Sequence, residues 1–214
     1  MIKGVIFDLD GVIVFTDKYH YLAWKKIADE ENIYFDEIIN NRLRGVSRMD
    51  SLDIILEKAN KNYTLQEKEV LATKKNEIYK EYLKQLGEND VSKDVIETLM
   101  TLKNNNIKLA IGSSSKNTMT ILSQIGLLSY FDAIVDGTQI SKSKPDPEVF
   151  LKAAQKLGLL ASECLVIEDA TTGIDAAVSG GFKCCGINDA KCYDKTTYPI
   201  DNVKEILNLL WKKY

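Results

Sequence analysis

The sequence predicts an α/β protein, a doubly wound parallel sheet with a small helical domain inserted after its first strand. Three observations carry this expectation. Five short runs are β-branched or continuously apolar, as strands covered on both faces should be. Helical segments alternate with the last four, which implies parallel strands joined by right-handed crossovers. Between about residues 15 and 90 no run reads as a strand and Gly and Pro almost disappear, so a helical block interrupts the alternation.

In chain order, the first strand is "GVIFDLD" at 4–10. The helical block opens with "DKYHYLAWKKIADEENI" and continues with "SRMDSLDIILEKANK", which sets Leu52, Ile55, Leu56 and Ala59 on one face. "TLQEKEVLATKKNEIYKEYLKQLG" begins with a capping box, Thr64 to Glu67. The core resumes near Asn89 with the amphipathic "SKDVIETLMTLKN". Strands follow at "IKLAIGS" (107–113), "DAIVDG" (132–137), "CLVIED" (164–169) and "FKCCGI" (182–187). The helix "TMTILSQIG" stops at Gly126; "DPEVFLKAAQKLG" has Asp146 as N-cap, Pro147 at the first helical position and Gly158 as stop. "TTGIDAAVSGG" is the next crossover and "DNVKEILNLLWKKY" the closing helix. These boundaries divide the chain into a core of 1–14 and 89–214 and a helical domain of 15–88.

With 214 residues, 45% of them hydrophobic, the chain can bury one substantial core and a smaller companion. A net charge of -3 leaves no electrostatic footprint for nucleic acid or an anionic membrane surface. No apolar run is long enough to span a bilayer, and we expect a soluble, cytoplasmic monomer. Cys164, Cys184, Cys185 and Cys192 form no CxxC pair and read as free thiols without chemistry.

The chemistry gathers at strand ends. In "VIFDLDGVIV" two carboxylates, Asp8 and Asp10, interrupt an apolar strand, although burying unpaired charge is costly. The second strand ends in "GSSS", the fourth in Glu168 and Asp169, and the third is followed by "SKSKPDP" with Lys144. Ligands of open parallel sheets bind at this carboxyl edge. Four acids can share it as anions only with a cation among them, and oxygen donors without His or Cys point to Mg²⁺. A Ser-rich turn leading into a helix and the Lys144 ammonium suit a phosphate.

"DLDG" after an apolar strand, a Ser ending the second, Lys in "SKPDP" and "IED" in "LVIEDATTGI" resemble, in order, the four motifs of the haloacid dehalogenase superfamily of phosphotransferases. The resemblance implies a Rossmann-like core in which Asp8 is the nucleophile that forms an aspartyl phosphate. It makes Asp10 the general acid and base, with its backbone carbonyl on the metal alongside Asp8, Glu168 and Asp169. The helical insert resembles the small cap of one subgroup. "YHYLAWKKIA", "LRGVSRMDSL", "KKNEIY" and "GSSSKN" are similar to the β-phosphoglucomutase branch, which interconverts β-D-glucose 1-phosphate and glucose 6-phosphate through β-D-glucose 1,6-bisphosphate.

That branch implies that Arg48 holds the phosphate not being transferred, with Ser51 and the backbone of Gly45, Val46 and Ser47 shaping its loop. His20, Trp24, Lys75 and Asn76 would line the sugar side; Ser113, Ser114 and Lys144 would grip the transferring phosphate. Asn117 would contact the ligand or brace its loop. Plainer readings stand beside these: His20 as an ordinary helix residue, Trp24 as packing, Lys75 as surface charge. The alternative function is a sugar phosphate or phosphoglycolate phosphatase, and a non-catalytic sensor is the rival of another class. The chain departs from the family at "DGVIVFTDKYH", where Phe15 occupies the usual acidic place and Asp17 is the candidate to take over a hinge contact.

Overall fold

The computed structural model describes residues 1–44 and 46–211. Its strands are β1 (Gly4–Phe7), β2 (Lys108–Gly112), β3 (Ala133–Val135), β4 (Cys164–Glu168), β5 (Lys183–Gly186) and β6 (Tyr198–Pro199). All pair in parallel in the order β3-β2-β1-β4-β5-β6. Phe7 stands opposite both Ile111 and Ile167, so β1, β2 and β4 end level with one another. Asp8, Ser113 and Glu168 therefore leave the sheet at one edge.

The apolar runs are buried on both faces because alternate residues feed two helical layers. Val5, Phe7, Leu109, Ile111, Leu165 and Ile167 share one cluster with Leu99 and Leu102 of α5 (Lys93–Asn104) and Ile121 of α6 (Thr118–Gln124). Ile6, Ala110 and Val166 point the other way, onto Phe150 and Ala153 of α7 (Glu148–Leu157) and Ile174 of α8 (Thr171–Ser179). This is the predicted doubly wound sheet. The sixth strand escapes sequence reading because two residues carry no periodicity. Helix α7 starts one residue later than expected: Pro147 takes the capping position, and the Asp146 carboxylate accepts the Glu148 N–H at 3.0 Å. Gly158 ends it with φ of 69°, as expected.

Among the described residues the helical insert comprises four separate helices: α1 (Asp17–Glu30), α2 (Glu37–Asn41), α3 (Arg48–Leu56) and α4 (Leu65–Leu83). They enclose their own cluster of Trp24, Ile27, Phe35, Ile39, Leu52 and Ile55. The Thr64–Glu67 capping box forms, with Glu67 accepting the Thr64 N–H at 2.8 Å and Thr64 Oγ1 accepting the Glu67 N–H at 3.3 Å. The lower end of α4 belongs to the core: Tyr79 and Leu83 pack in the cluster of Val5 and Phe7. Among the described residues no helix is long and apolar enough to cross a membrane. The four thiols are free, and only Cys192 is exposed.

One close approach ties fold to site. A Cβ on Gly173, in the first turn of α8, would lie 2.1 Å from the carboxyl carbon of Glu168. A helical Gly→Ala change ordinarily stabilises by about 1 kcal/mol. Here we expect the opposite sign, a loss of about 1–3 kcal/mol from overpacking against a buried carboxylate. Denaturant unfolding of Gly173→Ala measures it, and a stabilised variant would contradict the packing described.

Candidate active site

At the carboxyl edge, Lys144 lies buried between two acids. Its Nζ donates to the Asp8 carboxylate and, at 3.0 Å, to Glu168 Oε2. Burial alone would lower the lysine's pKa, but Asp8 and Glu168 overcome this and hold it raised, so the ammonium persists. Oxygens of Asp8, Glu168 and Asp169 all lie within 4.8 Å of one another. Burial, then the Asp8 charge, pushes Glu168 well above the usual carboxylate range and Asp169 up to about 8. Three hard oxygen donors facing one ammonium fit a small divalent cation such as Mg²⁺, which relieves that repulsion.

The carboxylate of Asp10 is not part of this group. It turns toward the insert: Oδ1 accepts the Thr16 N–H at 2.7 Å and Oδ2 accepts the Thr16 hydroxyl at 2.6 Å. Thr16 stands at the capping position of α1 yet forms no cap bond, because its hydroxyl is committed to Asp10. The same oxygen accepts from Tyr79 OH at 2.9 Å. Burial, opposed by the Thr16 bonds and reinforced by Asp8, raises the Asp10 pKa to about 6. A carboxyl so placed exchanges protons near neutral pH.

The insert supplies cations of its own. Lys75 of α4 is 2% exposed; its Nζ lies 2.8 Å from His20 Nδ1 and 4.9 Å and 4.6 Å from the Trp24 and Tyr79 ring centres. His20 Nε2 is 3.7 Å from Asp10 Oδ2. Arg48 opens α3, where the helix dipole disfavours a cation, behind Ser47, whose hydroxyl accepts the Asp50 N–H at 3.2 Å. Among the described residues neither Arg48 nor Lys75 forms an ion pair. Burial and then Arg48 drive the Lys75 pKa well below the usual lysine range; burial also lowers Arg48, and burial with both cations lowers His20. Such a cluster suits an anion.

Both groups face one cavity of about 910 Å³ between sheet edge and insert. Every residue singled out from the sequence lines it, from Val46, Ser47 and Ser51 to Ser113, Ser114 and Asn117, save Gly45, which lies outside the described residues. Ser114 Oγ is buried without a partner among the described residues, and the backbone N–H of Ser115 binds Ser113 Oγ at 3.1 Å. Asn117 Nδ2 donates to Asn76 Oδ1 at 3.0 Å, joining core to insert. Trp24, 2% exposed, is chiefly packing that backs Lys75. Sequence reading missed Thr16 and Tyr79, whose roles appear only when α4 meets the end of β1. It also missed Arg44, which lies just before the "GVSR" stretch.

Comparisons with known proteins agree with this geometry. The chain is 40% identical to the β-phosphoglucomutase of Bacillus subtilis, across 99% of this chain and 96% of that protein. It is 30% identical to a fructose-1-phosphate phosphatase of Escherichia coli, across 84% and 93%. The crystal structure of a β-phosphoglucomutase from Clostridium difficile superposes with a TM-score of 0.91 at 38% identity, covering 96% of this chain and 93% of that one. The family model for haloacid dehalogenase-like hydrolases matches residues 5–187, and the chain, a phosphoryl-transfer enzyme, belongs to that family.

Proposed function

We propose that this enzyme is a β-phosphoglucomutase, interconverting β-D-glucose 1-phosphate and D-glucose 6-phosphate through an aspartyl phosphate on Asp8 and β-D-glucose 1,6-bisphosphate. The observation that carries the reading is the pair of cationic grips in one cavity, Lys144 at the sheet edge and Arg48 with Lys75 on the insert. A hydrolase of monophosphates needs one grip, whereas a bisphosphate that turns round needs two. The similarity to the B. subtilis mutase supports the same reading.

In this reading residues 15–88 cap the core of 1–14 and 89–214. The phosphoryl group rests on Asp8, screened by Lys144 and held by Ser113 and Ser114. Mg²⁺ would be held by Asp8, Glu168, Asp169 and the backbone carbonyl of Asp10, and would supply charge neutralisation at the phosphate. The sugar's 6-hydroxyl attacks phosphorus as the Asp8–phosphorus bond breaks, and Asp10 takes the hydroxyl proton. After the bisphosphate turns, Asp8 attacks the phosphorus on O1, that ester bond breaks, and Asp10 returns the proton to O1. Thr16 and His20 hold Asp10 near the reacting oxygen. Arg48 and Lys75 hold the phosphate not in transfer, with Gly45, Val46, Ser47 and Ser51 shaping its loop; Asn76 and Asn117 join cap to core at the sugar.

The deciding assay incubates the protein with Mg²⁺, β-glucose 1-phosphate and a trace of the bisphosphate, following glucose 6-phosphate and inorganic phosphate separately. Phosphate alone would favour the sugar phosphate phosphatase, for which the E. coli relative speaks. Replacing Arg48 by Ala is expected to lower mutase turnover on the order of 100-fold, the scale of a lost charged bond pair, while sparing most slow phosphate release. Equal loss of both activities would count against its assigned phosphate. Asp10→Asn is expected to abolish turnover with folding unchanged by circular dichroism.

Lys75 gives a test independent of turnover. Burial and the neighbouring Arg48 hold the Lys75 pKa down, and an anion beside the amine favours its charged form and raises that pKa. Over the pH range in which Lys75 titrates, binding glucose 6-phosphate to the metal-free enzyme should therefore take up protons. Calorimetry in buffers of different ionisation enthalpy reads this uptake, which Lys75→Met should remove.

A further inference from the structure

At the mouth of the cavity Arg44 spans two ion pairs. Its NH2 group donates to Asp17 Oδ2 at 2.8 Å and its NH1 group to Asp189 Oδ2 at 2.7 Å. Asp17 stands in the first turn of α1, just past the exposed Phe15, where the chain leaves the core. Arg44 directly precedes the loop that runs into Arg48. Asp189 belongs to the turn Asn188–Cys192 after β5, on the core. That turn is fixed to the catalytic edge: Asn188 Nδ2 donates to the Gly11 carbonyl at 3.0 Å, and the Ala190 N–H donates to the Asp169 carbonyl at 2.9 Å. One guanidinium thus connects the hinge, the phosphate loop and the brace of the acid cluster.

We propose that Arg44 is a positioning residue: held by Asp17 and seated on Asp189, it clamps the phosphate loop of the cap to the core, and so sets how often the phosphoryl group passes to a sugar rather than to water. The inference rests on the mutase reading above. When the clamp releases, water reaches the aspartyl phosphate; its oxygen bonds to phosphorus, the bond to Asp8 breaks, a water proton passes to Asp10, and inorganic phosphate leaves. Planar geometry suits the task, because a guanidinium offers separate N–H pairs to two carboxylates where an ammonium offers a point charge. All three side chains reach solvent, so the pairs are screened by salt and each contributes modestly. The clamp biases an equilibrium and does not lock it.

The test uses Asp189, which lies outside the cavity lining. Products from β-glucose 1-phosphate, Mg²⁺ and trace bisphosphate are measured at low and high KCl for the wild type, Asp189→Asn and Asp189→Arg, alongside small-angle scattering of the free proteins. The wild-type ratio of phosphate to glucose 6-phosphate should rise with salt. In Asp189→Asn it should start about two- to fivefold higher, the scale of one exposed ion pair, and lose its salt response. Asp189→Arg, which sets two cations face to face, should shift the ratio further and enlarge the radius of gyration. Variants matching the wild type in both partition and scattering would overturn the clamp. If the wild type yields phosphate alone, the mutase reading falls and scattering alone decides: expansion in the variants supports the clamp, and its absence refutes it.

Discussion

The site depends on one electrostatic constraint, the gathering of three carboxylates, two of them buried against a single buried ammonium, at the end of a parallel sheet. Taking such groups out of water costs several kcal/mol per ion unless partners and geometry compensate. The compensation is built from backbone. Level strand ends bring Asp8 and Glu168 together, and the loop bearing Lys144 is pinned by Glu148, which accepts the Ser141 and Lys142 N–H groups at 2.9 and 2.8 Å. Gly11 and Gly173 leave no room for side chains beside Asp169 and Glu168. Excess negative charge remains, and that excess suits the edge to a small divalent cation.

Across the cavity the imbalance is reversed. Arg48 and Lys75 are basic groups without carboxylate partners among the described residues, and Lys75 packs against His20, Trp24 and Tyr79. Asp10 lies between the two fields, tied through Thr16 to Tyr79 of α4. The Asp10 carboxyl is thereby coupled to the helical insert as well as to the core from which it springs. Asn76 with Asn117, and Arg44 with Asp189, are further contacts across the same boundary.

Much of this was legible in the sequence because it violates local rules. Carboxylates in an apolar strand, and a serine run or a lysine at a strand end, contradict burial and so announce a site. The side-chain directions were not legible: Asp8 and Asp10 share a strand spacing, yet one faces the acid cluster and the other the insert. Tyr79 carries no signal of its own in the sequence, since its hydroxyl finds Thr16 only in three dimensions. The usual acid at the hinge is replaced by Phe15, and Asp17 does engage a partner there, but that partner, Arg44, is distant in sequence.

The insertion of the cap between β1 and β2 has a consequence for how the molecule is made. Gly4 pairs with Lys108 on one side and Cys164 on the other, so the central strand finds its neighbours only across very long stretches of chain. Contacts of such separation form slowly and late. The insert can assemble its own cluster of Trp24, Ile27 and Leu52 from local helices during synthesis, well before β4 leaves the ribosome. Asp8 and Asp10 are thus among the first residues made and among the last to be seated, and an exposed β1 in the nascent chain needs protection from aggregation until then.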